Sequence, residues 1–229
     1  AVSGTNIKII EDAAQSIGAE LNSQKTGSFG VCGCFSLHPL KNFHLIGDAG
    51  MITTNSLELA KKLKILRNHG LIDRDMCHFF SRNSRLDTLQ ASFGSYLLPH
   101  LDEWTDRVIK IAEYYQNYLN GKLFLPKADI KSKHVFHNFV VQTPLRNELS
   151  NFLKFNGVET KIHYPIPICD QPAWKNLSLP QATIPGVQKQ KDMILSLPIY
   201  AELTDLEVEY VAKSVDSFFT RNQSFRDAI

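Results

Sequence analysis

Lys41 closes a succession of chemically distinct side chains. Upstream of it lie Glu11-Asp12-Ala13-Ala14-Gln15 and then Cys34-Phe35-Ser36-Leu37-His38-Pro39-Leu40-Lys41. A lysine amine can form a Schiff base with an aldehyde. A carboxylate can keep a pyridine nitrogen protonated so that the ring withdraws electrons, and a hydroxyl can bond a phosphate. With an amide added, these are the parts needed to hold pyridoxal phosphate. Taken singly, each has a plainer reading. An isolated lysine is a solvated surface charge, Asp12 is a cap or turn former, and Gln15 is a surface glutamine. Lys41, however, stands between two strand-like segments, after Pro39 and before Gly47-Asp48-Ala49-Gly50. A lysine partly desolvated there becomes a nucleophile.

The elements around these residues form an α/β pattern. Ile7-Lys8-Ile9-Ile10 is a short apolar run suited to a buried parallel strand, which leaves Asp12 just past its carboxyl end, where ligands gather in open α/β sheets. Phe29 to Leu37 and Met51 to Thr54 read as further strands. Asn55 is a candidate N-cap with Glu58 at the third helical position, and Leu59, Leu63 and Leu66 follow at helical spacing until Gly70. Helices are expected from Arg85 to Leu97 and from Pro99 through Tyr118. After Asn120-Gly121-Lys122 the composition changes, which places a domain boundary near Gly121 with the long helix as the bridge. Residues 1–120 and 121–229 are therefore taken as two domains. In the second, His134 to Gln142 alternates like a strand, Arg146 to Phe155 reads as a helix stopped by Gly157, and Val158 to His163 reads as a strand. Thr204 to Glu207 is a capping box that starts a helix with Val208, Val211, Ala212, Val215 and Phe219 on one face. Ile166 to Gln190 is expected to be a loop over the site.

Composition excludes several classes. Among 229 residues the net charge is +2, which gives no reason to expect nucleic acid or an anionic membrane as partner. No apolar run approaches the roughly 20 residues that span a bilayer. Four cysteines do not make a disulfide framework in a chain of this length, and Cys32-Gly33-Cys34 lacks the spacing of a redox or zinc pair. Reduced thiols and a cytoplasmic location are expected. The histidines show no metal spacing, so no metal site is expected. Lys25-Thr26-Gly27 matches a short penicillin-binding motif, but no accompanying Ser-x-x-Lys stands in the right context, so it is read as chance.

The run from Ile10 to Gly50 resembles the DegT/DnrJ/EryC1/StrS family of sugar aminotransferases, which are fold-type I, aspartate aminotransferase-like enzymes. The resemblance continues through Arg67-Asn68-His69-Gly70, Asn83 to Ala91, Leu98 to Trp104, Glu159 to Pro165 and Leu195-Ser196-Leu197-Pro198. It implies the later part of a large, mainly parallel pyridoxal phosphate-binding domain followed by a smaller C-terminal α+β domain. It also implies a preceding segment that cradles the phosphate and supplies an aromatic stacked on the ring, to which nothing in these residues corresponds. By the same resemblance Lys41 is the catalytic, cofactor-bearing lysine, Asp12 holds the pyridine nitrogen, Gln15 the ring hydroxyl and Ser36 the phosphate. Asn83 reaches the phosphate in the neighbouring subunit of a homodimer with shared sites, although a turn or cap role explains it equally. His163 and Tyr164 lie at the sugar-nucleotide site, with a half-buried core role as the alternative for Tyr164. Arg85 and Gln90 are read as structural. One departure is Ala49, where the family usually has glycine, which would tighten the turn if that position needs positive φ.

The activity so implied is transfer of an amino group from an amino acid, glutamate by analogy, to a nucleotide-linked keto-sugar, with a dTDP-linked 3-keto-deoxyhexose as the finer reading. Two rivals stand beside it. A dehydratase of the same family would carry histidine in place of Lys41, and a truncated or split relative could act as a non-catalytic partner subunit.

Overall fold

The computed structural model describes residues 2, 4–177 and 184–221, and these form two compact units. The first comprises 1–106 with 128–137, the second 107–127 with 138–229. The division thus falls within the long helix, between Asp106 and Arg107, and the segment 128–137 returns to the first unit.

In the first unit β1 (Ile10–Asp12), β4 (Cys32–Ser36) and β5 (Gly50–Thr53) form a sheet in the order β1-β4-β5. β1 runs parallel to β4 with Asp12 opposite Cys34, and β5 is antiparallel with Gly50 opposite Ser36. Neighbouring residues on a strand face opposite sides. Phe35 and Leu37 accordingly join Ala13, Ile17, Phe43 and Leu45 in the core, while Cys34 and Ser36 share the other side with Asp12. β1 is an edge strand. The expected burial of its approach is therefore not observed: Ile7, Ile9 and Ile10 are 63%, 44% and 66% exposed. A second small sheet joins β2 (Glu20–Leu21), β3 (Gln24–Lys25) and β6 (Ser132–Lys133).

Helix α1 (Leu57–Leu66) is capped by Ser56, whose hydroxyl accepts from the Leu59 amide at 3.2 Å, one residue later than the Asn55 expected. The Thr54 hydroxyl accepts from the Ser56 amide and donates to Val31, which fixes the extended residue before the helix. α2 (Thr88–Leu97) begins three residues later than the Arg85 expected, after the extended Asp87. It runs through a short 3-10 turn into α3 (Leu101–Tyr118).

The expected strand from His134 to Gln142 is two separate pieces. β6 ends at Lys133 and β7 covers Phe139–Gln142; between them Phe136 has φ +44°, with its amide bonded to the His134 ring. In the second unit β7 pairs antiparallel with β8 (Ile194–Leu197). α4 (Arg146–Phe155) has the expected bounds, and Gly157 at φ +76° turns the chain after it. Val158 to His163 is not a strand, for only Lys161 bridges to Ser196. α5 (Pro172–Lys175) and α6 (Pro185–Gln190) occupy parts of the segment expected as a loop, and its residues 178–183 lie outside the described residues. α7 (Asp205–Arg221) starts at the capping box: Glu207 accepts from the Thr204 amide at 2.8 Å and Thr204 from the Glu207 amide at 3.3 Å. Val208, Val211, Ala212, Val215 and Phe219 are all buried. Among the described residues no helix is long and apolar enough to cross a membrane.

Candidate active site

The carboxyl ends of β1 and β4 lie side by side and carry Asp12 and Ser36, with Lys41 in the turn that follows β4. Asp12 ends β1 with its Oδ1 accepting from the Ala14 amide at 3.1 Å, which starts the turn carrying Gln15. Ser36 ends β4 on the same side as Asp12; among the described residues its hydroxyl has only a long contact, 3.4 Å, from the His38 amide. The chain then turns at His38–Lys41, closed by the Lys41 amide donating to the His38 carbonyl at 2.9 Å. Pro39 at the second turn position pre-sets the backbone angle that turn needs.

Lys41 is half-buried, and among the described residues its side chain has no hydrogen bond or ion pair. Its backbone is held firmly. Asn42 donates to the Val135 carbonyl at 2.8 Å and bonds the His137 ring at 3.0 Å, while Phe43 and Leu45 are buried. The His44 ring bonds the Lys41 carbonyl at 3.2 Å and stacks on Trp104 with centroids 6.3 Å apart. Leu45 and Ala49 both return to Leu37 through backbone bonds of 2.9 Å. Ala49 is not among the positive-φ residues, so its methyl group brings no backbone strain to this turn.

Glu11 is a supporting residue whose role the sequence did not reveal. Its carboxylate accepts from the amides of Gly27, Phe29 and Gly30 at 2.6, 2.6 and 2.7 Å. Burial pushes its pKa up, but the three amide bonds outweigh burial and the carboxyl lies below its ordinary value. Gly27, at φ +84°, packs against Gly33 so closely that a Cβ on either would meet the other's backbone or the Phe35 ring. The loop 27–30 is thereby held against the end of the strand that carries Asp12. Burial raises the Cys34 thiol pKa, with Cys32 and the Asp12 charge adding to it. Glu11 was visible only as part of the motif around Asp12. Asn42 lies next to Lys41, but no local pattern announces partners more than ninety residues away.

Asn83 sits elsewhere in the first unit. It bridges to Asn68, and its side-chain oxygen accepts from the Arg85 amide and guanidinium at 3.2 and 3.1 Å. Arg85 also donates to Asn68 at 3.0 Å, so its structural reading fits. In the second unit the His163 ring bonds the Ser196 hydroxyl at 2.8 Å, and burial, then the Lys161 charge, lower its pKa. Tyr164 is 67% exposed, which removes the half-buried core alternative. Among the described residues no group of three His, Cys, Asp or Glu side chains could hold a metal ion.

The donor set fits pyridoxal phosphate: among the described residues, the ends of adjacent strands present a carboxylate with one uncommitted oxygen and a weakly engaged hydroxyl, and the turn after β4 adds an unpartnered amine. The model of the DegT/DnrJ/EryC1/StrS aminotransferase family matches residues 2–216. The UDP-N-acetyl-3-dehydro-alpha-D-glucosamine 3-aminotransferase of Acidithiobacillus ferrooxidans is 38% identical over 90% of this chain and 56% of its own length. A dTDP-3-amino-3,6-dideoxy-alpha-D-galactopyranose transaminase of Aneurinibacillus thermoaerophilus is 38% identical over 93% of this chain and 58% of its own. The crystal structure of DesV from S. venezuelae, in complex with a ketimine intermediate, superposes with TM-score 0.88 at 34% identity, covering 93% of this chain and 58% of that one. A "Pleiotropic regulatory protein" of Geobacillus stearothermophilus is also 38% identical, over 92% of this chain and 58% of its own. The chain thus spans a little over half the length of the curated relatives it matches. On its motifs, its fold and these matches, the chain belongs to the DegT/DnrJ/EryC1/StrS aminotransferase family.

Proposed function

We propose that this chain supplies the lysine-bearing site of a pyridoxal phosphate-dependent aminotransferase that moves an amino group from an amino acid, glutamate, onto a nucleotide-linked keto-sugar. The observation that carries the reading is Lys41, half-buried and without a side-chain partner among the described residues, in the turn that follows the strand ends presenting Asp12 and Ser36. When bound, the cofactor supplies an electron sink for the carbon that loses or gains a proton. Lys41 would hold it and would carry that proton on Nζ. Asp12 would keep a positive charge on the ring nitrogen, Gln15 would bond the ring hydroxyl and Ser36 the phosphate. The names of the transaminase relatives favour amination at the 3-position of a dTDP- or UDP-linked sugar. His163 and Tyr164 are the residues proposed to meet that sugar nucleotide.

The working form proposed is a cytoplasmic homodimer in which Asn83 reaches the partner's cofactor phosphate. Around Asn83 the segment from Asp73 to Arg85 is exposed throughout, with Phe80 fully so and Met76 at 53%. Apolar exposure of this kind fits a surface covered by a second copy. The four free thiols fit a reducing compartment.

The test is amino transfer itself. The chain, joined to the segment its relatives carry in addition, is given pyridoxal phosphate, glutamate and dTDP- or UDP-linked 3-keto-sugars, and the products are weighed by mass spectrometry. The amino sugar nucleotide is expected; cofactor uptake without any amino sugar would contradict the reading. A second reading, a non-catalytic regulatory subunit, is favoured by the name of the Geobacillus relative. It predicts no cofactor absorbance in the assembled protein, whereas the first predicts it.

A further inference from the structure

Ser196 lies in β8, 5% exposed, and its backbone is committed on one side to Lys161, with its amide donating to the Lys161 carbonyl at 2.8 Å and its carbonyl accepting from the Lys161 amide at 3.3 Å. On the other side β8 pairs with β7, Ser196 standing opposite Val140. A residue held on both flanks has little freedom to reposition its side chain. Its hydroxyl meets the Nδ1 of His163 at 2.8 Å, and among the described residues that nitrogen is the one acceptor recorded for it.

A buried hydroxyl hydrogen needs an acceptor, because water cannot replace one. If His163 donated from Nδ1, the Ser196 hydrogen would be left without a partner. A bond from the Ser196 O–H to Nδ1, with the ring proton on Nε2, leaves neither the hydroxyl nor Nδ1 unsatisfied. The surroundings disfavour the charged ring: burial opposes the cation, and the Lys161 ammonium, itself paired with Glu159 at 2.5 Å, adds to that. The other ring facing it is Tyr164, edge-on with centroids 5.3 Å apart. Among the described residues Nε2 has no partner.

We propose that Ser196 is a positioning residue that locks His163 in the Nε2–H tautomer, so that His163 offers the sugar nucleotide a single neutral N–H for an uncharged hydroxyl or carbonyl oxygen of the sugar. The substrate half of this proposal rests on the aminotransferase reading; the tautomer does not. A neutral donor is suited to a sugar oxygen, whereas a charged imidazolium would be drawn to the diphosphate. Exposed Tyr164 stands beside it to offer a hydroxyl to the same ligand.

The experiment is nitrogen-15 NMR of the histidine-labelled 229-residue chain near pH 7. His163 should show a proton on Nε2 and none on Nδ1. Ser196→Ala should give a mixture of tautomers, and Ser196→Thr, which keeps a hydroxyl, should restore the single form. A proton on Nδ1 in the wild type, or an unchanged pattern in Ser196→Ala beside a folded Ser196→Thr control, would overturn the lock. In the enzyme assembled with its additional segment, Ser196→Ala should raise KM for the keto-sugar nucleotide about 3–10-fold, the worth of one neutral hydrogen bond, with kcat changing less. An unchanged KM would overturn the substrate half. An assembled wild type that shows the tautomer but transfers no amino group would overturn the aminotransferase reading and that half with it, leaving the lock intact.

Discussion

The second unit is closed on itself, and the sheet of the first is not. Phe139, Val141, Leu149, Leu153, Leu195, Val215 and Phe219 have no exposed surface. They come from β7, β8, α4 and α7, which together cover one another's apolar faces. In the first unit one side of the sheet β1-β4-β5 is packed by Phe35, Leu37, Phe43 and Leu45, yet the isoleucines leading into its edge strand are exposed. The residues proposed to hold the cofactor, Asp12, Gln15, Ser36 and Lys41, all lie in the first unit, with the open sheet. A self-covered core can be read from the chain alone; a site at a sheet edge needs residues that the local pattern does not contain.

The largest expected effect is chemical. Asp12→Asn keeps the shape of the side chain and its bond to the Ala14 amide, but removes the charge that would hold the pyridine proton. In the assembled enzyme, turnover should fall by about 10²–10⁴-fold with the cofactor still bound. Stopped-flow measurement of the donor half-reaction checks it, and near-normal rates would reduce Asp12 to a turn former.

Next comes a pair of substitutions that sharpens the contrast between the two regions. Phe219→Ala in α7 should cost about 3–5 kcal/mol in urea unfolding of this chain, because it empties a fully buried site. Ile10→Ser in β1 should change stability by no more than about 0.5 kcal/mol, because that side chain is already in water. Equal costs for the two would show that β1 is covered and that the contrast is false.

A smaller effect is expected at Glu11. Glutamine has one acceptor oxygen for three amides, so Glu11→Gln should destabilise the first unit by roughly 1–3 kcal/mol. The sign with pH follows from the lowered pKa. The folded state binds the Glu11 proton less readily than the unfolded chain, so its contribution is present above the ordinary carboxyl range and is lost as pH falls through the folded value. The wild type should therefore lose its margin over Glu11→Gln on acidification, and unfolding curves at pH 7 and in the acid range measure it.

How much of this was legible varies with the range of the interactions. Local signals held well: the capping box at Thr204 and Glu207 forms both its bonds, and α4 runs from Arg146 to Phe155. Alternation alone misled at His134 to Gln142, where the strand pattern continues through Phe136 but the backbone turns to positive φ. Val158 to His163 has a strand's composition, yet only Lys161 finds a backbone partner on β8. The apolar run at Ile7 to Ile10 signalled burial, which depends on neighbours that β1 does not have here. At the candidate site, the placing of Asp12 and Ser36 on one side of adjacent strands was legible because each stands at the end of a short strand-like run near in sequence. The anchors were not: Asn42 is tied to Val135 and His137, and His163 to Ser196, contacts that exist only once the chain has folded.

Lys41 is the residue proposed to carry the cofactor. The chain, assembled with the segment its relatives have in addition and loaded with pyridoxal phosphate, is reduced with borohydride, digested and mapped by mass spectrometry. The phosphopyridoxyl mass should fall on the peptide containing Lys41 and vanish in Lys41→Ala. A label on Lys25 or Lys61 instead, or no label on a protein that binds the cofactor, would contradict the account.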